Sequence, residues 1–180
     1  PASGKTTLAF RLEKALKARG FRPVVLDGDD LRQFLFPELK FNRVSRQAQA
    51  ERATYLARLI QQAGGIPIVS LISPYREDRA WAREQIKGFV EVFVDCPPAI
   101  CAQRDPKNLW ARALRGELAE FTGVNDPYEP PLFPEVRVTH RESPDTCAAA
   151  VLAKLQDFGY ISPKDEERSD SPPSPGGLGE

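Results

Sequence analysis

Residues 3–7, Ser3-Gly4-Lys5-Thr6-Thr7, combine the residue types that hold a polyphosphate. They form the second half of the pattern G-x-x-x-x-G-K-[ST]. There, backbone amides around Ser3 to Thr6 cradle the anion, Lys5 reaches the β and γ phosphates, and the Thr6 hydroxyl ligates Mg²⁺. A helix starting at this point would turn its positive end toward the same anion. A second group, Asp27-Gly28-Asp29-Asp30, follows a short apolar run and sets two carboxylates close to the phosphates. Phosphoryl transfer asks for little more: positioning, charge stabilisation, and a carboxylate that orients or deprotonates the attacking hydroxyl. The first glycine of the pattern would stand five residues before Gly4, upstream of Pro1, and the chain has no methionine. Both features suggest a piece of a longer protein whose first strand lies outside this sequence.

The elements that must position these groups can be read from periodicity. Leu8, Ala9, Leu12, Ala15 and Leu16 recur at helical spacing and Gly20 stops the helix. Pro23-Val24-Val25-Leu26 reads as a buried strand, and residues 45–63 as a long helix ended by Gly64-Gly65. Residues 66–72 are a second strand, 78–86 a helix, 89–95 a third strand, and Pro97-Pro98 open a helix toward Arg104. Residues 136–139 are a fourth strand. Ser143-Pro144 start a last helix, with serine at the N-cap and proline at the first helical position.

Strands alternating with helices predict a parallel α/β sheet covered on both faces, which binds ligands at the carboxyl ends of its strands. Asp27, Asp29, Ser73 and Asp95 all fall at such ends. A phosphate-binding loop ordinarily follows the central strand, so the sheet is expected to carry a gap in its middle. Residues 1–160 are read as one domain. Residues 161–180, charged and then rich in serine, proline and glycine, hold too little apolar surface to fold and read as a disordered tail or linker.

The 25 basic and 25 acidic residues balance, which argues against a nucleic-acid or anionic-membrane partner. No apolar stretch approaches the roughly 18 residues of a membrane span. Three cysteines, Cys96, Cys101 and Cys147, form no C-x-x-C pair and suit a reducing cytoplasm, and with His140 as the only histidine a structural metal site is not indicated.

Further segments combine with the loop: Asp27 to Arg32, Lys40-Phe41-Asn42, Arg46, Ile72 to Arg79, Arg104 to Lys107, and Phe121 to Glu129. In this order and spacing the chain resembles the adenylylsulfate kinase (APS kinase) family over about residues 1–158. The resemblance implies a P-loop NTPase three-layer sandwich with a mainly parallel sheet flanked by helices. It also implies transfer of the γ-phosphoryl of ATP, with Mg²⁺, to the 3′-hydroxyl of adenosine 5′-phosphosulfate in sulfate activation. Carried onto these positions, Ser3, Gly4, Lys5, Thr6 and Thr7 bind ATP, Thr6 and Asp27 hold the metal, and Asp29 engages the 3′-hydroxyl.

Arg32 and Arg46 match the family's anion-binding arginines, and Phe41 and Phe121 the rings that sandwich the acceptor's adenine. Ser73 matches a serine regarded in the family as phosphorylated. A direct in-line transfer needs no covalent step, so Ser73 and Ile72 are also read as lining the acceptor pocket. Lys107 and Arg104 lie in the segment resembling a mobile lid that runs to about Asp126. The Arg76 to Arg79 cluster is open between phosphate contact and an ion-pair network at a helix start. Arg43 and Arg52 read as surface charges, Asp30 as solvated, and Tyr128 and Glu129 as structural. The family's habits leave room for a homodimer and for a fused or associated ATP sulfurylase.

The chain departs from the family at Gln49 (usually an acceptor-binding asparagine), Asn108 (glycine), Trp110 (standing for a tyrosine two residues on), Ala119 (lysine) and Asn125 (aspartate). Two alternatives stay in view. One is another small-molecule P-loop kinase of the gluconate or shikimate type, against which the paired phenylalanines argue. The other is a nucleotide-binding module without turnover, against which the retained Lys5, Thr6, Asp29, Arg32 and Arg46 argue.

Overall fold

The computed structural model describes residues 1–162; residues 163–180 of the expected tail lie outside them. Helix α1 (Lys5–Lys17) buries Leu8, Ala9, Leu12 and Leu16 on one face. It ends as expected at Gly20, whose φ of 81° lets the chain turn back so that the Phe21 amide donates to the Leu16 carbonyl. Strand β1 (Pro23–Asp27) follows, then a single helical turn, α2 (Gly28–Asp30), which widens into a π-type turn at Leu31–Leu35. Helix α3 (Arg43–Gln62) starts two residues before the expected Ser45, because the Asn42 carboxamide caps it by accepting the Ser45 amide at 2.8 Å.

Strand β2 (Ile66–Ser70) pairs in parallel with β1, Asp27 beside Ser70. Helix α4 (Arg76–Gln85) leads to β3 (Val92–Asp95), which pairs in parallel with β4 (Val136–Thr139), Asp95 beside Thr139. Strand β3 is shorter than the expected 89–95. Its approach is held by a side chain, the Glu91 amide donating to the Glu135 carboxylate at 2.6 Å. Helix α5 (Pro98–Arg104) begins at its proline as expected. The short α6 (Leu109–Leu114) was not legible in the pattern; the Asp105 carboxylate starts it by accepting the amides of Leu109 at 2.8 Å and Ala111 at 3.1 Å.

The last helix, α7 (Pro144–Asp157), has the expected Ser143 cap. It packs on α1 over β4, and Leu16, Val138, Val151 and Leu152 form the centre of the main core. A smaller cluster joins Cys101, Trp110, Ala113 and Phe121.

Both ladders are parallel and two-stranded, and among the described residues neither is hydrogen-bonded to the other. An apolar cavity of about 910 Å³ lies between them, with Leu12, Ile68, Val92 and Val94 in its walls. The sheet is thus interrupted in its middle, as the position of the phosphate loop led one to expect.

The Ser143 hydroxyl accepts the Thr146 amide at 3.1 Å. Ser143→Ala should lower the unfolding free energy by about 1 kcal/mol in a denaturant melt, the usual worth of such a cap. Ligand affinities should not change.

Candidate active site

Gly4 caps α1 with a φ of 99° and offers no side chain to the first-turn amides, which therefore remain available to an anion. Lys5 opens the helix, and Thr6 follows with its hydroxyl donating to Asp27 Oδ2 at 2.8 Å and 3.4 Å from the Ser70 hydroxyl. Asp27 is buried, and its second oxygen accepts the Asp29 amide at 2.9 Å. The end of helix α5 also reaches this point: an Arg104 nitrogen lies 4.0 Å from where a side chain on Gly4 would begin, and Arg104 donates to the His140 carbonyl. Thr6 and Asp27 together present a hydroxyl and a carboxylate, the hard oxygen donors that suit Mg²⁺ when phosphate and water complete its shell. No cluster of three or more histidine, cysteine or acidic residues occurs among the described residues.

Asp29 projects from the α2 turn, and Lys107 Nζ meets its Oδ2 at 2.5 Å. The hydrogen bond from Lys107 holds the Asp29 carboxyl below its ordinary range, with partial burial opposing. Reciprocally, Asp29 raises the Lys107 ammonium. The cation of one loop thus closes on the acid of another, 78 residues away in sequence. Asp30 is exposed, as expected.

Arg32 lies flat on the half-exposed Phe41, 4.6 Å from the ring centroid. It donates to the carbonyls of Leu39 and Lys40 and to the Gln49 side chain. Arg46 is buried, donates to the Glu120 carbonyl at 2.7 Å, and sits 6.0 Å from the Phe41 ring. Burial draws both guanidinium pKa values down, and for Arg32 the nearby charge of Arg46 adds to the effect. Phe121 follows Glu120 and is buried edge-on against Trp110, with centroids 5.3 Å apart. Arg46 therefore connects the two phenylalanines, one exposed and one enclosed. Asn125 shapes the turn beneath Phe121, accepting the Phe121 amide at 2.6 Å and donating to the Leu118 carbonyl at 2.9 Å. An aspartate could not make the second bond.

Ser73 has a φ of 41°, and it lines the large cavity with Ile72. Arg79 donates to the Ser73 carbonyl at 2.6 Å, to the Glu129 carbonyl at 2.6 Å and to Glu91 at 2.7 Å. Arg76 donates to the Pro130 carbonyl. The Arg76 to Arg79 cluster thus forms an internal network that fixes the Ser73 loop. Tyr128 supports the same loop region, stacking on Phe93.

Arg43 keeps 38% of its side chain exposed, as a surface charge would, but it is not isolated. It pairs with Glu77 and the buried Asp78, both at 2.8 Å, and covers the Tyr75 ring at 4.0 Å. Arg52 is a surface charge that pairs with Glu38 and stacks on Phe36. Sequence reading also passed over Asp126 as more than the end of a segment. Asp126 accepts the Tyr75 hydroxyl at 2.8 Å and the Thr122 hydroxyl at 3.2 Å, and faces Arg46 at 3.5 Å. Burial, and then this hydrogen bond, raise the Tyr75 phenol. The signal was a lone aspartate between Asn125 and Pro127, and nothing local distinguished it.

A sequence description of the family named adenylylsulphate kinase matches residues 1–139. The chain belongs to this family. It is 43% identical over 160 residues to the probable adenylyl-sulfate kinase of Pyrococcus abyssi, covering 88% of this chain and 92% of that protein. The same identity relates it to a probable bifunctional SAT/APS kinase of Sorangium cellulosum, of which it spans 28%. Its backbone resembles the Mycobacterium tuberculosis APS kinase CysC in complex with AMPPNP and APS. The TM-score is 0.83 at 39% identity, over 86% of this chain and 92% of that one. Such identity over nearly the whole length places the two ladders and the phosphate loop of this chain in the family's P-loop α/β fold.

Removing the cation isolates its effect on Asp29. In Lys107→Met the Asp29 carboxyl should titrate at higher pH than in the parent chain, toward the ordinary carboxylate value, when followed by carbon-detected NMR. An unmoved midpoint would show that the pair does not form in solution.

Proposed function

We propose that the chain transfers the γ-phosphoryl group of ATP to the 3′-hydroxyl of adenosine 5′-phosphosulfate, giving 3′-phosphoadenosine 5′-phosphosulfate and ADP. Family membership supports the reaction. The observation that carries the assignment of roles is Asp29: an acid paired with Lys107, on the turn whose first carboxylate, Asp27, accepts the phosphate-loop threonine.

The amides at Ser3 to Thr7 and the start of α1 hold the ATP phosphates, and Lys5 lies along the β and γ groups. Thr6 and Asp27 would hold Mg²⁺, whose charge offsets that of the phosphates when bound. Asp29 accepts the proton of the 3′-hydroxyl as that oxygen bonds to the γ phosphorus and the bridging oxygen departs with ADP. Arg32 and Arg46 take the phosphosulfate oxygens, arginine's planar fork suiting such groups. Phe41, half-exposed, offers a face to the acceptor's adenine, and Phe121, enclosed against Trp110, would have to free a face to complete the sandwich; Ile72 and Ser73 line the pocket. Lys107 belongs to the lid, and its release from Asp29 admits the acceptor; closure then keeps water from the γ phosphate.

Three cysteines are free among the described residues, which supports a reducing, cytoplasmic setting. No helix among the described residues is long and apolar enough to cross a membrane. A homodimer through the outer face of α3 is supported by Val44, Tyr55 and Leu59, exposed there at helical spacing; light scattering at twice the chain mass would test it. An association with ATP sulfurylase has the bifunctional Sorangium relative as its support.

The test is ADP release with ATP, Mg²⁺ and adenylylsulfate. Release should require adenylylsulfate and be absent with gluconate or shikimate. Asp29→Asn should lower kcat by at least about 100-fold, the range for loss of a general base, with ATP affinity nearly unchanged. Near-normal turnover would place the base elsewhere. Because Lys107 holds Asp29 low, the acid limb of kcat/KM should fall below the ordinary value of 3.8. Activity is retained above that limb and lost as pH falls through it.

A further inference from the structure

Gln49 lies on α3 and is buried to 6% exposure; the other buried residues of that helix are Ala50, Ala53 and Ala57 and the polar Arg46 and Thr54. Its amide is engaged at both ends. The side-chain oxygen accepts from Arg32 Nη2, and the side-chain nitrogen donates to the Gly28 carbonyl at 2.9 Å. Arg32 can only donate and a carbonyl can only accept, so one orientation of the amide satisfies both.

We infer that Gln49 is a positioning residue that locks the acceptor-binding Arg32 to the turn carrying Asp29. This inference rests on the roles given above to Arg32 and Asp29. Gly28 immediately precedes Asp29 and is pressed from two sides. A side chain there would begin 2.8 Å from Leu71 Cδ2 and 3.5 Å from Gln49 Nε2. On the other side of the bridge, Arg32 is held by the Leu39 and Lys40 carbonyls and carries Phe41 on its face. One buried amide thus connects the acid, the guanidinium and the exposed ring.

A buried amide is costly unless both ends find partners, and an apolar residue would pack beside these alanines at less expense. The partners it finds belong to the site rather than to the helix scaffold. Asparagine, shorter by one carbon–carbon bond of about 1.5 Å, could not span the same two groups without movement of the turn or the arginine. The glutamine is therefore matched to this spacing.

The test uses Gln49→Met in the full chain, which keeps length and volume and removes both hydrogen bonds. Calorimetry reads the binding of adenylylsulfate and, separately, of a non-hydrolysable ATP analogue; steady-state rates read kcat and the two KM values. The thermal midpoint should fall by only a few degrees, because the Gly28 carbonyl and Arg32 each lose one partner. Adenylylsulfate affinity should weaken about tenfold, as loss of a hydrogen bond to a charged group does, with the ATP analogue within about twofold.

Acceptor affinity unchanged in folded Gln49→Met, or both ligands weakened alike, would overturn the inference. Should that variant fail to fold, Gln49→Glu keeps the shape, neutralises Arg32 and cannot donate to Gly28. It too should lose acceptor affinity selectively, and retention would overturn the idea. A parent chain that binds both ligands without transferring phosphate removes the kinase reading but leaves the calorimetric split to decide the role of Gln49. A parent that binds no adenylylsulfate removes both.

Discussion

The Asp27 carboxylate lies buried where β1 meets the following turn, with one oxygen taken by the Thr6 hydroxyl and the other by the Asp29 amide. Thr6 belongs to the first turn of α1, so this acid fixes the anion-facing end of a helix to a turn 21 residues further along the chain. A buried carboxylate without such donors would favour protonation or exposure. With them it sets the distance between the first-turn amides of α1 and Asp29. The parallel register then brings Ser70 alongside, so the β1–β2 ladder and α1 share one polar junction.

Around that junction the carboxyl ends of the strands run into long irregular loops, and arginine supplies the donors their carbonyls need. Arg79 satisfies Ser73 and Glu129, Arg46 satisfies Glu120, and Arg32 satisfies Leu39 and Lys40. A guanidinium carries five N–H groups in a fixed plane, so one side chain can join two or three segments that have no ladder of their own. Tyr75 and Asp126 extend this bracing to the segment bearing Phe121.

Much of this was legible where local signals are strong. The apolar spacing of α1, the proline starts of α5 and α7, the serine cap of α7 and the extent of β4 all follow from nearest-neighbour chemistry. So do the phosphate loop and the acids after β1. What could not be read depends on partners far away in sequence. Nothing near Arg43 announces Asp78, and nothing near Gln49 announces the Gly28 carbonyl. Helix α6 is too short for its periodicity to emerge, and its start depends on a carboxylate three residues before its cap. The π-type turn after Asp30 arises from a run, Leu31 to Leu35, whose composition would serve an ordinary helix equally well.

Two residues frame the segment that carries α6: Asn108, with a φ of 52°, and Glu120, with a φ of 56°. Neither is glycine; asparagine enters the left-handed region readily, whereas for Glu120 it costs on the order of 1 kcal/mol. The segment that carries α6 is therefore wound chiefly at its Glu120 end. Any motion that returns Glu120 to negative φ gains about fivefold in local equilibrium. Opening of that segment would then draw on torsion already present in the backbone at Glu120.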